Sequence, residues 1–260
     1  MASRAELALS FGAIAAEYDR LRSGPPTEAV AWLLPPRRDV VVDLAAGTGL
    51  LSRALAGKAG HVIAVEPDDR MRSVLRASAP DIEVLAGRGE AIPLPDASAD
   101  AVLISSAWHW LDPDLAVPEI GRVLREGGRL GVIWTGRDPA TEWLRADDWF
   151  REVHQEAAVH ACEAVLRRQR QHHEVTLPDP AMFSNIETAV FRFTRSMSAA
   201  DVADMLTTYS RVITAAPEIR QAGRARAAAA LAAQFPGADQ IDVPMRSLCW
   251  RADRVGRAAG

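Results

Sequence analysis

Val40-Val41-Val42-Asp43-Leu44-Ala45-Ala46-Gly47-Thr48-Gly49 is the stretch whose reading decides the fold. Three valines and a leucine without helical spacing make a short buried strand, and two glycines one residue apart let the chain turn sharply after it. The stretch 50–56 then reads as a helix. Moving outward, the same alternation repeats. Residues 61–65 form a second strand ending at Glu66-Pro67, followed by a helix over 68–78. A third strand, 82–86, leads through a glycine-rich loop to the turn Pro93-Leu94-Pro95-Asp96. Residues 100–105 are a fourth strand and 114–125 its helix, after which Gly127-Gly128 turns the chain into a fifth strand at 129–134. Strands alternating with helices in this way predict a doubly wound α/β core around a parallel sheet.

Beyond Trp134 the texture changes. Residues 142–173 read as mostly helical and charged, 188–194 alternate as a strand, 201–210 and 218–234 are helical, and 241–250 close as a last strand. The expected architecture is a Rossmann-like seven-stranded sheet completed by a late hairpin-like pair, with helical insertions and a loose tail over 251–260. Leu7, Phe11, Ile14 and Tyr18 recur at helical spacing, which makes the N-terminal stretch an amphipathic cap helix in preference to a cleaved leader. The expected division is 1–135 for core and cap, and 136–260 for the helical cap and the strands that finish the same sheet.

The 260 residues are 48% hydrophobic and 25% charged, which sets aside disordered, collagen-like and disulfide-scaffold classes. A net charge of −4 lacks the basic footprint of a dedicated nucleic-acid binder. Cys162 and Cys249 make neither a disulfide framework nor a zinc-ligand spacing, so a reducing cytosol is the default compartment and no metal is expected. No segment reaches the ~20 apolar residues of a membrane span.

A strand running into a glycine-rich turn and a helix is a general nucleotide-binding device, because glycine lets backbone approach a ligand and the helix start offers free N–H groups. The dinucleotide fingerprint wants a third glycine where this chain has Ser52. Glu66 stands at the end of the second strand, 19 residues past Gly47, where a carboxylate accepts hydrogen bonds from ribose hydroxyls of either NAD or S-adenosylmethionine. Asp43 separates the two. A pyrophosphate is repelled by a carboxylate so close, whereas the cationic amino group of a methionine moiety is attracted.

The stretch 41–49 resembles the first motif of class I S-adenosylmethionine-dependent methyltransferases. Glu66-Pro67 with Met71 is similar to the second motif, and residues 89–96 with Asp100 resemble the loop leading to the fourth strand. Arg122-Val123-Leu124 to Gly127-Gly128 resembles the approach to strand five. Phe11 to Tyr18-Asp19 with Arg22 looks like the cap helix of the small-molecule branch, and Trp108-His109-Trp110 with the late stretch 244–250 resembles its trans-aconitate methyltransferase-like group. The departure is Ala45, where the family usually has glycine.

This resemblance implies that Asp43, Ala45, Gly47 and Gly49 cradle the methionine end of S-adenosylmethionine and that Glu66 holds the ribose. It sets Pro67 and Met71 beside the adenine, with Gly89 and Glu90 near its edge. Ser105 would face the amino acid moiety, and Tyr18 and Arg22 would close over the cofactor carboxylate. Trp108, Trp110, Trp134, Trp143 and Trp149 all follow the ends of strands four and five, the edge where α/β sheets bind ligands. Aromatic faces attract a sulfonium and exclude water, so these rings are the expected acceptor wall. His109 is the candidate base for a hydroxyl acceptor; a carboxylate acceptor needs only alignment. His154, His160, His172 and His173 read as helix surface. The expectation is methyl transfer to oxygen or nitrogen of a small organic molecule, yielding S-adenosylhomocysteine. An NAD(P)-dependent oxidoreductase and a non-enzymatic S-adenosylmethionine-binding protein are the rivals.

Overall fold

Val41, Val42 and Leu44 are fully buried in β1 (Val40–Leu44), as a strand covered on both faces must be. Around it, a computed structural model describes residues 10–141, 143, 149, 173–213 and 215–256. β2 (His61–Glu66), β3 (Glu83–Ala86), β4 (Ala99–Ser105) and β5 (Leu124–Arg137) join β1 through parallel pairings. With β6 (Phe183–Met197) and β7 (Ile241–Arg254) they form a seven-stranded sheet in the order β3-β2-β1-β4-β5-β7-β6. The doubly wound α/β expectation holds.

Register is pinned by a buried acid. Asp100, 3% exposed at the start of β4, accepts the Val40 N–H at 2.9 Å and the Arg125 guanidinium at 2.6 Å. Burial works to raise its pKa, and these donors outweigh it, holding the carboxyl below its ordinary value.

Several boundaries differ from expectation. β5 begins at Leu124 instead of after the double glycine, because Leu124 already pairs with Ala99; the pairing shifts register before Arg129, with Gly127 at φ +70°. The tail is not loose where it starts: Arg251 to Arg254 belong to β7. Arg251 stacks 4.1 Å from the Trp32 ring, and Arg254 donates to the Leu124 carbonyl at 2.7 Å. Arginines at the end of a strand look solvated in sequence, but their stems and guanidiniums serve the neighbouring chain. A further helix, Thr27–Leu33, packs Ala29, Val30 and Leu33 into the core. The cap stretch is a 3-10 turn, Ser10–Ile14, running into the helix Ala15–Leu21. Of the expected helical stretch 142–173, all but Trp143, Trp149 and His173 lie outside the described residues, as do Cys162, His154, His160 and His172.

Contacts group the chain into two units: Met1–Ser23, Gly136–His172 and Arg192–Arg246 form one, and Gly24–Thr135, His173–Phe191 and Ser247–Gly260 the other. The cap helix groups with later segments instead of with the core that follows it, and β7 divides between the units after Arg246. In the first unit, Leu21, Met197, Val202, Leu206, Leu231 and Val243 share one apolar cluster. The second unit is built on both faces of the sheet, with Val42, Ile104, Val132 and Trp134 in one cluster and Val41, Leu103, Ile133 and Cys249 in another. Burial pushes the Cys249 thiol up to about 12, so it is a packing residue.

Candidate functional site

The loop after β1 is held by its own strand ends. Gly47 donates its N–H to Glu66 Oε2 at 2.9 Å, and Asp68 donates its N–H to Glu66 Oε1, also at 2.9 Å. Glu66 is therefore clasped between the glycine loop and the start of the helix Asp69–Ser78, whose N-cap is Asp68. Each carboxylate oxygen keeps a lone pair for a further donor. Burial raises the Glu66 pKa, against the pull of those two N–H groups.

Asp43 is fully buried, and the partner of its Oδ2 is the Ser52 hydroxyl at 2.6 Å. Ser52 stands where a dinucleotide fingerprint has its third glycine, and here it has a different use: it fixes an acid. Among the described residues the other oxygen, Oδ1, has no partner, and neither does the buried Thr48 hydroxyl in the same loop. Burial, abetted by the Glu66 charge, pushes the Asp43 pKa up to about 7.

Gly47 and Gly49 do different work. Both have positive φ, +56° and +84°. A Cβ on Gly49 would meet Leu75 Cγ at 2.7 Å, so that glycine permits the helix Leu50–Leu55 to pack. Among the described residues a Cβ on Gly47 meets nothing within 4 Å, so its space is open beside the Glu66 carboxylate. Ala45 takes φ +55° without being glycine, a strain of about 1–2 kcal/mol.

An orphaned buried carboxylate oxygen, an orphaned hydroxyl, an acid with spare lone pairs and open space over a glycine fit S-adenosylmethionine. Asp43 would meet its ammonium and Glu66 its ribose hydroxyls. Pro67 is exposed and Met71 buried at the same helix start. Gly89 is buried, with the place of a Cβ only 2.7 Å from Leu111 Cδ2. Glu90 accepts the N–H of Asp112 at 3.0 Å, which ties it to the N-cap of the helix Pro113–Val123. Ser105, half-buried, ends β4.

Beyond β4, Trp108-His109-Trp110 form a 3-10 turn with Trp108 buried, and the His109 ring lies 4.6 Å from that of Trp110. Trp108, Trp110 and Trp134 share the same apolar cluster, and His173 meets Trp134 edge-on at 5.5 Å. Trp143 and Trp149 belong to the other unit, where Trp143 packs edge-on against Phe235 at 4.8 Å. The expected wall of five tryptophans is thus three in one unit and two in the other. Tyr18 and Arg22 also lie in the first unit. The Arg22 guanidinium is 5.5 Å from the Tyr18 ring centre and 4.6 Å from that of Tyr209, a neighbour no sequence motif marks. Burial works against the Arg22 charge, and the two phenols outweigh it. Ser52, Tyr209 and His173 escape a motif reading, because only tertiary contact gives them their places. Among the described residues, no group of three or more metal-ligating side chains could hold an ion.

A seven-stranded α/β sheet carrying this loop and clasped acid defines a methyl-transferring class of protein. The chain belongs to the class I S-adenosylmethionine-dependent methyltransferases. The methyltransferase domain family matches residues 42–132. Uncharacterized methyltransferases of Mycobacterium bovis and Mycobacterium tuberculosis are 36% identical over 252 residues, 96% of this chain and 98% of theirs. A malonyl-[acyl-carrier protein] O-methyltransferase of Methylococcus capsulatus is 33% identical over 176 residues, 62% of this chain and 64% of its own length. Among solved structures, a candidate type II methyltransferase from Anaeromyxobacter dehalogenans superposes with a TM-score of 0.67 at 25% identity, over 90% of this chain and 97% of that one.

Proposed function

We propose that the chain is a cytosolic enzyme that moves a methyl group to oxygen, or to nitrogen, of a small organic acceptor by in-line displacement. S-adenosylmethionine supplies the methyl group on a sulfonium. The acceptor atom forms the new bond as the carbon–sulfur bond breaks, and S-adenosylhomocysteine leaves with the electron pair. In this reading Asp43, with Ala45, Gly47 and Gly49, holds the methionine end, Glu66 the ribose, and Pro67, Met71, Gly89 and Glu90 the adenine side. Ser105 faces the amino acid moiety. Tyr18 and Arg22 are assigned to the carboxylate by resemblance alone.

The observation that carries the acceptor class is the turn Trp108-His109-Trp110, just after β4, in one apolar cluster with Trp134 of β5. Aromatic walls exclude water from a sulfonium and attract its charge. The only titratable side chain in that turn is His109, whose type takes a proton near neutral pH. With a hydroxyl acceptor, His109 receives the hydroxyl proton; with a carboxylate acceptor there is no proton to move. The Methylococcus relative, named for O-methylation of a malonyl group, supports oxygen.

The test is incubation with methyl-labelled S-adenosylmethionine and a small-molecule extract. Label is expected in methyl esters or ethers of low mass. Label confined to protein or nucleic acid would refute the acceptor class.

A further inference from the structure

Trp134 follows Leu130 and Val132 on one face of β5 and is only 6% exposed, yet its indole nitrogen has no hydrogen-bond partner among the described residues. That nitrogen only donates, and a buried donor left unmet is costly. Phenylalanine would fill much of the same apolar space without the penalty. A tryptophan here points to an oxygen that the described residues do not supply.

Its place in the sheet says whose oxygen. Ile133, the preceding residue, pairs with Ser105, and its carbonyl accepts the Ser106 N–H at 2.7 Å, so Trp134 stands level with the carboxyl end of β4. Asp43 and Gly47 belong to β1 and its loop, Glu66 to β2, and β4 lies between β1 and β5. At ~4.8 Å per strand, the backbone of β5 is about 10 Å from that of β1, on the side away from Glu66. A cofactor with its ribose at Glu66 and its methionine end at Asp43 leaves the far side, over β4 and β5, to the acceptor.

We propose that the Trp134 indole N–H binds a lone-pair oxygen of the methyl acceptor, so that the acceptors are small molecules bearing a carboxylate or carbonyl and not ammonium-bearing ones. This rests on the methyl-transfer reading above and narrows its acceptor. An ammonium is itself only a donor and would leave the indole unmet. The bound oxygen is fixed whether or not it is the atom methylated. Trp108 and Trp110 in the same cluster supply the apolar surroundings, and the His173 ring meets Trp134 edge-on.

The experiment uses the full chain labelled with nitrogen-15, in which the Trp134 indole resonance is identified by its loss in Trp134→Phe. The protein is first saturated with S-adenosylhomocysteine, then titrated with malonate, benzoate and phenylacetate, and with benzylamine and phenethylamine as matched amines. At least one carboxylate is expected to bind and move the Trp134 indole proton downfield. Its affinity should fall roughly ten- to a hundredfold in Trp134→Phe, the worth of a hydrogen bond to a charged oxygen, while S-adenosylhomocysteine affinity stays the same. No carboxylate binding, carboxylates that leave the resonance unmoved, equal affinity in the variant, or tighter binding of the amines would each overturn the proposal. Failure to bind S-adenosylhomocysteine in the first step would instead count against the cofactor assignments it rests on.

Discussion

Asp43 is a carboxylate with one oxygen satisfied by Ser52 and the other, among the described residues, by nothing, in a place where burial lifts its pKa to about 7. An unfolded aspartate titrates near 3.9, so between about pH 4 and 7 the folded state holds a proton the unfolded state lacks. Its contribution therefore lowers the stability of the ligand-free protein as pH rises through that window, by up to ~1.4 kcal/mol per pH unit, and levels off above it. In the proposed arrangement the ammonium of the cofactor would favour the ionised form. S-adenosylhomocysteine affinity is accordingly expected to strengthen from pH 6 to 8 in the wild type and to be nearly flat in Asp43→Asn; calorimetry at several pH values would show it, and an affinity that weakens over this range would refute the assignment. His109 makes a prediction of the same kind for catalysis. If the acceptor found by labelling is a hydroxyl, His109→Ala should lower turnover by roughly 10²–10⁴ and flatten the pH–rate profile near neutrality. For a carboxylate acceptor the change should act on substrate affinity through packing beside Trp110. Matching profiles and rates in both proteins would leave His109 a structural residue.

At the level of elements, the glycine loop separates two requirements that the motif merges. Gly49 is needed by the helix that follows, because any side chain there runs into Leu75. Gly47 has open space above it, which the proposed cofactor would occupy. Gly47→Val is expected to cost stability only the ~1–2 kcal/mol of a branched residue at positive φ, yet to abolish S-adenosylhomocysteine binding. Gly49→Val should lose stability first and more heavily. Thermal melts alongside titrations distinguish the two, and a Gly47→Val protein that binds normally would place the cofactor elsewhere. The strands around this loop were legible because β1, β2 and β4 are apolar runs ending in turn residues, a pattern set by burial on both faces. The last four residues of β7 were not, since Arg251 and Arg254 owe their place to Trp32 and a Leu124 carbonyl far away in sequence. The acid pair was legible by residue type at the cofactor edge, Asp43 and Glu66, but its partner Ser52 was not. Nothing in a serine nine residues after an aspartate announces that the two will meet.

For the whole molecule, the two units carry different parts of what the sequence groups together. The loop, the clasped Glu66 and three of the tryptophans belong to the unit built on Gly24–Thr135, while Tyr18, Arg22 and Tyr209 cluster in the other. Ligand binding to the folded protein raises its stability by about 2.7 kcal/mol at a hundredfold excess over Kd, so the cofactor should also raise the melting temperature. The most direct measurement is calorimetric titration of the intact chain with S-adenosylhomocysteine and, separately, with NAD, repeated on Glu66→Ala. Saturable binding of S-adenosylhomocysteine is expected, with no competing NAD affinity and a loss of roughly 1.5–3 kcal/mol in the variant, the scale of hydrogen bonds to a charged acceptor. Tighter binding of NAD, or S-adenosylhomocysteine binding that Glu66→Ala leaves untouched, would contradict the cofactor assignment.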